Sequence, residues 1–279
     1  MRRRVLIKLS GEYLAGAAGA ADAIGATDDT GVHYDAATVG RIADEIMNIR
    51  AADATDAIGA TGAEVCLVTG GGNFWRGADA PAAMDRVRAD HIGMLASVMN
   101  GIYLADLFIN RGVAARVLTP FGYGPATEVY DRDAADAYLK NGELLIFAGG
   151  TGHPFFSTDT AAAIRAAELN VGLLLYAKGV EGVCDRDPRH GGGYHVYREM
   201  TYNMIIRDNL TVVDIVAAEL LRQRKVYSIL FDIRVAGAME AAFLNDGSEF
   251  EFGTKIYWDK TKSWEEEQCR KKRNITKTK

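Results

Sequence analysis

The chain has 279 residues, of which 48% are hydrophobic and 25% are charged, and its formal net charge at pH 7 is −5. This is globular composition with enough length for a large core, and the acidic balance argues against a nucleic-acid-binding surface, which depends on basic residues. Three cysteines at irregular spacing exclude a disulfide framework or a cysteine-based zinc cluster and suit a reducing compartment.

The predicted elements alternate between strands and helices in chain order. The apolar, β-branched runs 5–7 and 65–68 predict strands covered on both faces, as in a parallel sheet. Further strands are predicted at 115–118, 144–148, 173–176 and 227–231, and helices at 39–49 (after a cap at Asp35), 87–102, 133–140, 160–169 and 214–224. This alternation indicates an α/β fold with ligands bound at the carboxyl ends of the strands.

Two segments, 16–30 and 51–62, are rich in Ala, Gly, Asp and Thr and share the hexapeptide Asp-Ala-Ile-Gly-Ala-Thr. Because they offer little apolar surface to offset ordering entropy, we interpret them as inserted mobile loops. The charged segment 261–279 is predicted to be a disordered tail after a single domain over 1–260. No apolar run reaches the roughly 18 residues of a membrane span, so the sequence predicts a cytoplasmic protein without membrane contact.

Two glycine-rich turns are the most informative motifs. Lys8-Leu9-Ser10-Gly11 follows the first strand, and Gly70-Gly71-Gly72-Asn73 follows the second, with Arg76 close behind. Exposed backbone N–H groups beside a cation can bind phosphate oxygens. Three successive glycines cost backbone conformational entropy, which is expected only where a ligand approaches the backbone closely. A lysine at a strand end is commonly a solvated charge, and the P-loop pattern is absent. Together the turns predict a phosphoryl-transfer site of a class other than the P-loop kinases.

A third turn, 149–159, lies between a strand and a helix and carries many small and hydroxyl residues. Its N–H groups and hydroxyls suit a base or a phosphate, and Asp159 is placed to hold a metal or to orient Lys8. The alternative is an ordinary strand-to-helix turn in which Thr158 or Asp159 is only the cap. A fourth turn-rich stretch, 178–188, is compatible with a purely structural turn.

Four motifs in this order and spacing closely resemble bacterial-type uridylate kinases of the amino-acid-kinase superfamily. They are 8–12 (KLSGE), 70–77 (GGGNFWRG), 90–101 (DHIGMLASVMNG) and 150–159 (GTGHPFFSTD), within a likeness that spans roughly 4–258. The resemblance implies a three-layer αβα sandwich with a mainly parallel sheet, an acceptor-binding N-terminal lobe and an ATP-binding C-terminal lobe. It also implies a homohexamer that transfers the γ-phosphoryl group of ATP to UMP with Mg²⁺, in pyrimidine nucleotide biosynthesis.

The resemblance also assigns roles to individual positions. It implies that ATP phosphates are held by Lys8, Leu9, Ser10, Gly11, Gly72 and Arg76, and that the adenosine pocket is lined by Lys178, Cys184 and Asp187. For UMP it implies Gly71, Asp90, Thr151, Gly152, His153, Pro154, Phe155, Phe156, Ser157 and Thr158. The catalytic set it implies is Lys8, Arg76, Asp159 and Asp214, with the carboxylates organising the lysine and the transferred group.

The sequence departs from the family pattern at three positions. His153 replaces the usual asparagine, Cys184 stands where an aromatic residue commonly packs on adenine, and Gly179 replaces a lysine or asparagine. The inserted loop after Gly16 replaces a short family loop near the nucleotide sites, so GTP and UTP are candidate effectors only. Two alternatives stay open at this point: another kinase of the superfamily, for example one acting on acetylglutamate, and a nucleotide- or oxyanion-binding protein without turnover.

Overall fold

The computed structural model describes residues 3–16, 34–52, 62–186, 193–244 and 252–258. Most of the two inserted segments, the charged tail and Asp187 lie outside these ranges. Among the described residues the strands are β1 Arg4–Leu9, β2 Glu64–Thr69, β3 Ala115–Thr119, β4 Glu128–Val129, β5 Leu144–Phe147, β6 Leu173–Lys178, β7 Val183–Cys184, β8 Val196–Tyr197, β9 Glu199–Thr201, β10 Tyr227–Asp232 and β11 Gly253–Tyr257. The helices are α1 Ala36–Ala52, α2 Arg86–Ile109, α3 Arg132–Lys140, α4 Thr158–Glu168, α5 Tyr202–Arg207, α6 Ile215–Arg224 and α7 Ala238–Leu244, with 3-10 turns at Gly11–Ala15 and Gly77–Asp79.

Nine of the strands in the described part of the chain form one sheet in the order β4-β3-β5-β2-β1-β6-β10-β11-β9. In this spatial order the first seven strands, from β4 at the edge to β10, are parallel to one another. Strand β11 pairs antiparallel with β10 and parallel with β9. The predicted α/β class is thereby confirmed. Each predicted strand is present; β5 ends one residue earlier than predicted, and the other five predicted strands run one or two residues further at one or both ends.

Helices cover both faces of this sheet, which gives the three layers that the resemblance implied. Strand β1 shows the alternation: Val5, Ile7 and Leu9 pack with α1, α2 and α7, whereas Leu6 packs on the opposite face with α3 to α6. Strands buried on both faces need apolar residues at successive positions, which is why β1 reads as a continuous apolar run. Lys8 interrupts that run on the same face as Leu6.

Helix α2 corrects one sequence expectation. Arg86–Ile109 is long and apolar enough, by length and composition, to cross a membrane, although we expected no such segment. Half of its most apolar window is buried in the protein. Core helices pass the same test, and α2 packs against β2, β3 and β5 of the sheet.

Candidate active site

The first two glycine turns meet at the carboxyl ends of β1 and β2. The parallel register pairs Leu9 with Thr69, so the turns that follow begin side by side, and Gly70 N donates to Leu9 O over 3.1 Å. A Cβ atom on Gly11 would lie only 2.4 Å from Gly70 O. Glycine is therefore required at Gly11 because one turn's backbone rests on the other's.

Gly71 is required for a similar reason, since a Cβ atom there would lie 2.7 Å from both Ala96 Cβ and Gly93 O of helix α2. We had attributed the three successive glycines to the close approach of a ligand. At Gly71 the helix approaches closely, which by itself requires glycine there. At Gly72 the nearest atom to an added Cβ is Glu12 N at 3.4 Å, an ordinary contact.

A buried carboxylate between two lysines lies under these turns. Lys8 Nζ is 3.1 Å from Asp159 Oδ1, and Lys178 Nζ is 2.5 Å from Asp159 Oδ2. Lys8 is the next-to-last residue of β1, Lys178 is the last residue of the neighbouring strand β6, and Asp159 lies in the first turn of α4. The side chains of Lys8 and Asp159 are only 7% and 9% exposed, so the ion pairs are largely shielded from solvent screening.

The charges of this cluster fix its protonation. Burial alone would raise the pKa of Asp159, but the positive charges of Lys178 and Lys8 outweigh burial and lower the pKa to about 2. Burial lowers the pKa of Lys178, an effect that the Asp159 charge opposes. Asp159 is therefore ionised at neutral pH, and a carboxylate with so low a pKa is a poor general base.

The Lys178 side chain, which the resemblance assigns to the adenosine pocket, lies beside Asp159. Its amine donates to Asp159 and to Val212 O, in the same cluster as Lys8. Strand β6 is as apolar as β1, and each has a lysine in its last two residues. This similarity was the sequence signal that could have placed Lys178 beside Lys8. Cys184 lies in β7, with its Sγ donating to Gly182 O over 3.6 Å.

The Lys8 turn presents only backbone at Leu9 and uses a side chain at Ser10. Leu9 is fully buried in the core, so only its peptide group is available at the turn. Ser10 Oγ accepts a hydrogen bond from Lys8 Nζ over 3.1 Å and thereby helps to aim the amine. Arg76 forms a salt bridge with Glu12, a partner that the sequence analysis did not single out.

The third turn lies beside the first two and is tied to helix α2. Phe155 has a φ angle of 71°, which is unusual for a bulky side chain. Its N–H donates to Asp90 Oδ2 over 2.9 Å, while Asp90 Oδ1 accepts from Arg86 Nε over 2.9 Å. Asp90 therefore fixes the conformation of the loop that carries the predicted acceptor-binding residues.

The remaining positions of this loop differ in exposure and bonding. Thr151 Oγ1 accepts from His153 N over 3.1 Å and donates to His153 O over 3.2 Å, which closes a local turn. Gly152 has a φ angle of 80°, and Pro154 is half-buried. The rings of Phe155 and Phe156 are exposed.

Helix α4 begins with a cap different from the two considered above. Ser157 Oγ accepts from Asp159 N over 3.0 Å and from Thr160 N over 3.4 Å, so Ser157 is the N-cap. Thr158 is the first residue of the helix. This frees the Asp159 carboxylate for the lysines.

Asp214 lies close to this cap, and its charge favours the protonated form of Lys178. It caps α6 by accepting from Ala217 N over 2.7 Å, and it accepts from Thr160 Oγ1 over 2.9 Å and from the Ser157 hydroxyl. It therefore organises the start of α4, one step removed from Lys8. The resemblance groups it with Asp159 as a carboxylate that organises the lysine and the transferred group.

A mainly parallel sheet whose strand ends carry two opposed glycine turns and a lysine–aspartate–lysine cluster defines a phosphate-handling α/β protein. Residues 3–232 match the Amino acid kinase family. The uridylate kinase of Oenococcus oeni is 41% identical over 241 residues, which cover 86% of this chain and 91% of that protein. The chain therefore belongs to the amino acid kinase family, and within it to the uridylate kinases.

Solved structures agree with this assignment. The crystal structure of UMP kinase from Bacillus anthracis is similar with a TM-score of 0.79 and 34% identity, covering 92% of this chain and 97% of that one. UMP kinase from Ureaplasma parvum gives a TM-score of 0.75 with 28% identity over 92% and 99% of the two chains. Uridylate kinase from Archaeoglobus fulgidus, at 18% identity and a TM-score of 0.64, is similar in fold.

Proposed function

We infer that this protein is a nucleoside monophosphate kinase that transfers the γ-phosphoryl group of ATP to UMP, giving UDP and ADP. The observation that carries this inference is the Lys8–Asp159–Lys178 cluster directly beneath the glycine turns. Phosphoryl transfer passes through a loose transition state, so catalysis depends on positioning and charge neutralisation more than on a base. Two lysines held by one ionised aspartate meet that requirement.

Each part of the site has a role in this proposal. Lys8 and Lys178 would neutralise charge on the transferred group, and Asp159 would keep both amines in place. The backbone N–H groups of Gly11 and Gly72 would hold ATP phosphates, with Arg76 at the rim; the Ser10 N–H donates to Ala177 O over 3.4 Å and would first have to be released.

The acceptor would lie on the side of Asp90 and the 149–158 loop. The tie between Asp90 and Phe155 N supports this placement, because it holds the loop against the helix that also supports Gly71. Gly71 would contact the UMP phosphate and Thr151 to Thr158 would surround its uracil. Cys184 would lie beside the adenosine, and Asp187 is assigned there by resemblance alone.

Magnesium would enter with the nucleotide. Among the residues that the structure describes, no group of three or more His, Cys, Asp or Glu side chains is arranged to hold a metal, and both oxygens of Asp159 face lysines. These features fit an ion carried mainly by ATP phosphate oxygens, the usual ligands of Mg²⁺ in kinases. When bound, it would neutralise charge on the β- and γ-phosphates, while the turns hold those phosphates.

Self-association is part of the proposal. Helix α2 exposes Ile92, Leu95, Met99, Ile102 and Ile109, which are spaced to lie along one face. A continuous apolar face of this kind is typical of a protein–protein contact, and the family resemblance favours a homohexamer in the cytoplasm. Light scattering coupled to size exclusion measures the assembly directly.

An acceptor panel tests the reaction. With ATP and Mg²⁺, we expect ADP release that requires UMP, with CMP and dUMP compared as related acceptors. Activity on acetylglutamate and none on UMP would favour another kinase of the superfamily. Tight nucleotide binding with no ADP release would favour a binding protein. Repeating the UMP titration with GTP and UTP measures any effector response.

A further inference from the structure

Helix α2 carries two fully buried polar side chains on an otherwise apolar face. Ser97 is 1% exposed and Asn100 is 0% exposed. Burying a hydroxyl or an amide is unfavourable unless it is hydrogen-bonded, so the partners of these groups indicate why they are there. Each has its partner in a different loop of the site.

Ser97 holds the start of the 149–158 loop. Its Oγ accepts from Gly149 N over 2.8 Å and donates to Met94 O over 2.7 Å. Gly149 is the first residue after β5 to leave the sheet, and its φ angle of 80° turns the chain away from the strand. The position of the acceptor loop relative to α2 is therefore set at its first peptide group.

Asn100 holds the Gly70–Asn73 turn at both ends. Its Nδ2 donates to Gly70 O over 2.7 Å and to Asn73 Oδ1 over 2.7 Å, and its Oδ1 accepts from Asn73 Nδ2 over 3.0 Å. Between these anchors, Gly71 rests against Ala96 and Gly93 of the same helix. The turn and the helix are therefore held together as one rigid unit.

We propose that Ser97 and Asn100 are positioning residues that together fix the separation between the Gly70–Asn73 turn and the 149–158 loop. They lie about one helical turn apart on α2, so the helix backbone is the spacer between the two loops. Transfer rates respond to displacements of about 1 Å, which gives such a spacer a direct effect on the chemical step. This proposal rests on the proposed function.

The kinetic test compares Ser97→Ala and Asn100→Ala with a matched control. Ser228→Ala also removes a buried hydroxyl contact, with Tyr202, but on β10 near the opposite end of the strands. We expect Ser97→Ala and Asn100→Ala to lower kcat about tenfold or more, with KM for ATP and UMP changed less than about threefold, because each loop is intact while their separation is not. Ser228→Ala should lose stability and keep kcat.

Hydrogen–deuterium exchange without nucleotide provides a readout independent of activity. Ser97→Ala should speed exchange in the 149–157 segment, and Asn100→Ala in the 70–74 segment, whereas Ser228→Ala should speed neither. If Asn100→Ala does not fold, Ser97→Ala decides alone. Unchanged kcat, or unchanged exchange in these loops, would overturn the proposal. If the wild-type protein releases no ADP with UMP, the proposed function fails. The exchange comparison then still shows whether Ser97 and Asn100 hold the two loops in place.

Discussion

Asp159 Oδ1 lies 3.1 Å from the Nζ atom of Lys8, although the two residues belong to opposite halves of the chain. The contact joins the end of β1 to the start of α4 across the central strands. Lys178 contacts the other carboxylate oxygen, so a single anion holds two cations. The following predictions test this arrangement and its supports.

Replacing Asp159 by Asn should destabilise the fold. The substitution keeps the side chain's size but leaves two buried lysines without a counter-ion. Removing one member of a buried ion pair commonly costs about 3–5 kcal/mol. Urea unfolding at pH 7 measures the change. Asp133→Asn is the control, since the Asp133 side chain is 85% exposed in its ion pair with Arg132. Equal stability of wild type and Asp159→Asn would contradict the prediction.

The cost of Asp159→Asn should shrink in acid. The folded-state pKa of Asp159 is lowered from 3.8 to about 2. A lowered carboxylate pKa gives stability that is present above the unfolded pKa and lost as pH falls through the folded pKa, here between roughly pH 4 and 2. The shift corresponds to about 2–3 kcal/mol. Unfolding free energies of both proteins between pH 2 and 6 give the difference, and a pH-independent difference would contradict the prediction.

Gly71→Ala should impair activity far more than Gly93→Ala. At Gly71 an added Cβ would lie 2.7 Å from helix backbone atoms, so the turn has to move. At Gly93 the nearest atom would be Trp75 Cδ1 at 3.7 Å, which is an ordinary contact. We expect Gly71→Ala to lower kcat/KM for both substrates and Gly93→Ala to retain it. Gly93→Ala should also stabilise the protein by about 0.5–1 kcal/mol, because alanine has the higher helix propensity. Steady-state kinetics on both variants decide, and the reverse order of activity would refute the packing argument.

Asp214→Ala should cost both stability and turnover. It removes the cap of α6 and frees Ser157 and Thr160 at the start of α4. Asp131→Ala removes a comparable cap, that of α3. Each loss should cost about 1 kcal/mol of stability. Only Asp214→Ala is expected to lower kcat, because only its cap supports Asp159. Equal kcat in the two variants would assign Asp214 a purely structural role.

The sequence predicted the sheet better than its edges. Apolar runs such as those of β1 and β2 identify strands buried on both faces, because every position needs an apolar residue. By contrast, β4 consists of two exposed residues, Glu128 and Val129, and is too short to show an alternation of apolar and polar residues. Helix α7 went unpredicted because the N–H groups of Gly237 and Met239 at its start are satisfied by Glu45 of α1, a long-range partner that leaves no local cap signal.

The candidate site was predicted in outline for a similar reason. Glycine turns after neighbouring parallel strands meet at one sheet edge, so the meeting of Gly11 and Gly70 followed from topology. The lysine pairing of Asp159 did not, because sequence gives no register between β6 and α4. Ser97 and Asn100 were quoted within a motif, but their roles depend on which loops rest against α2.

The most direct measurement of the central claim is a single-turnover transfer of labelled γ-phosphate from ATP to UMP, with enzyme in excess, for wild type, Lys8→Ala and Lys140→Ala. Lys140 is a suitable control because its side chain is 62% exposed in an i,i+4 pair on α3. The account predicts labelled UDP from wild type and Lys140→Ala, and a rate lower by about 10²-fold or more for Lys8→Ala, with UMP binding retained. A loss under about threefold in Lys8→Ala would contradict it.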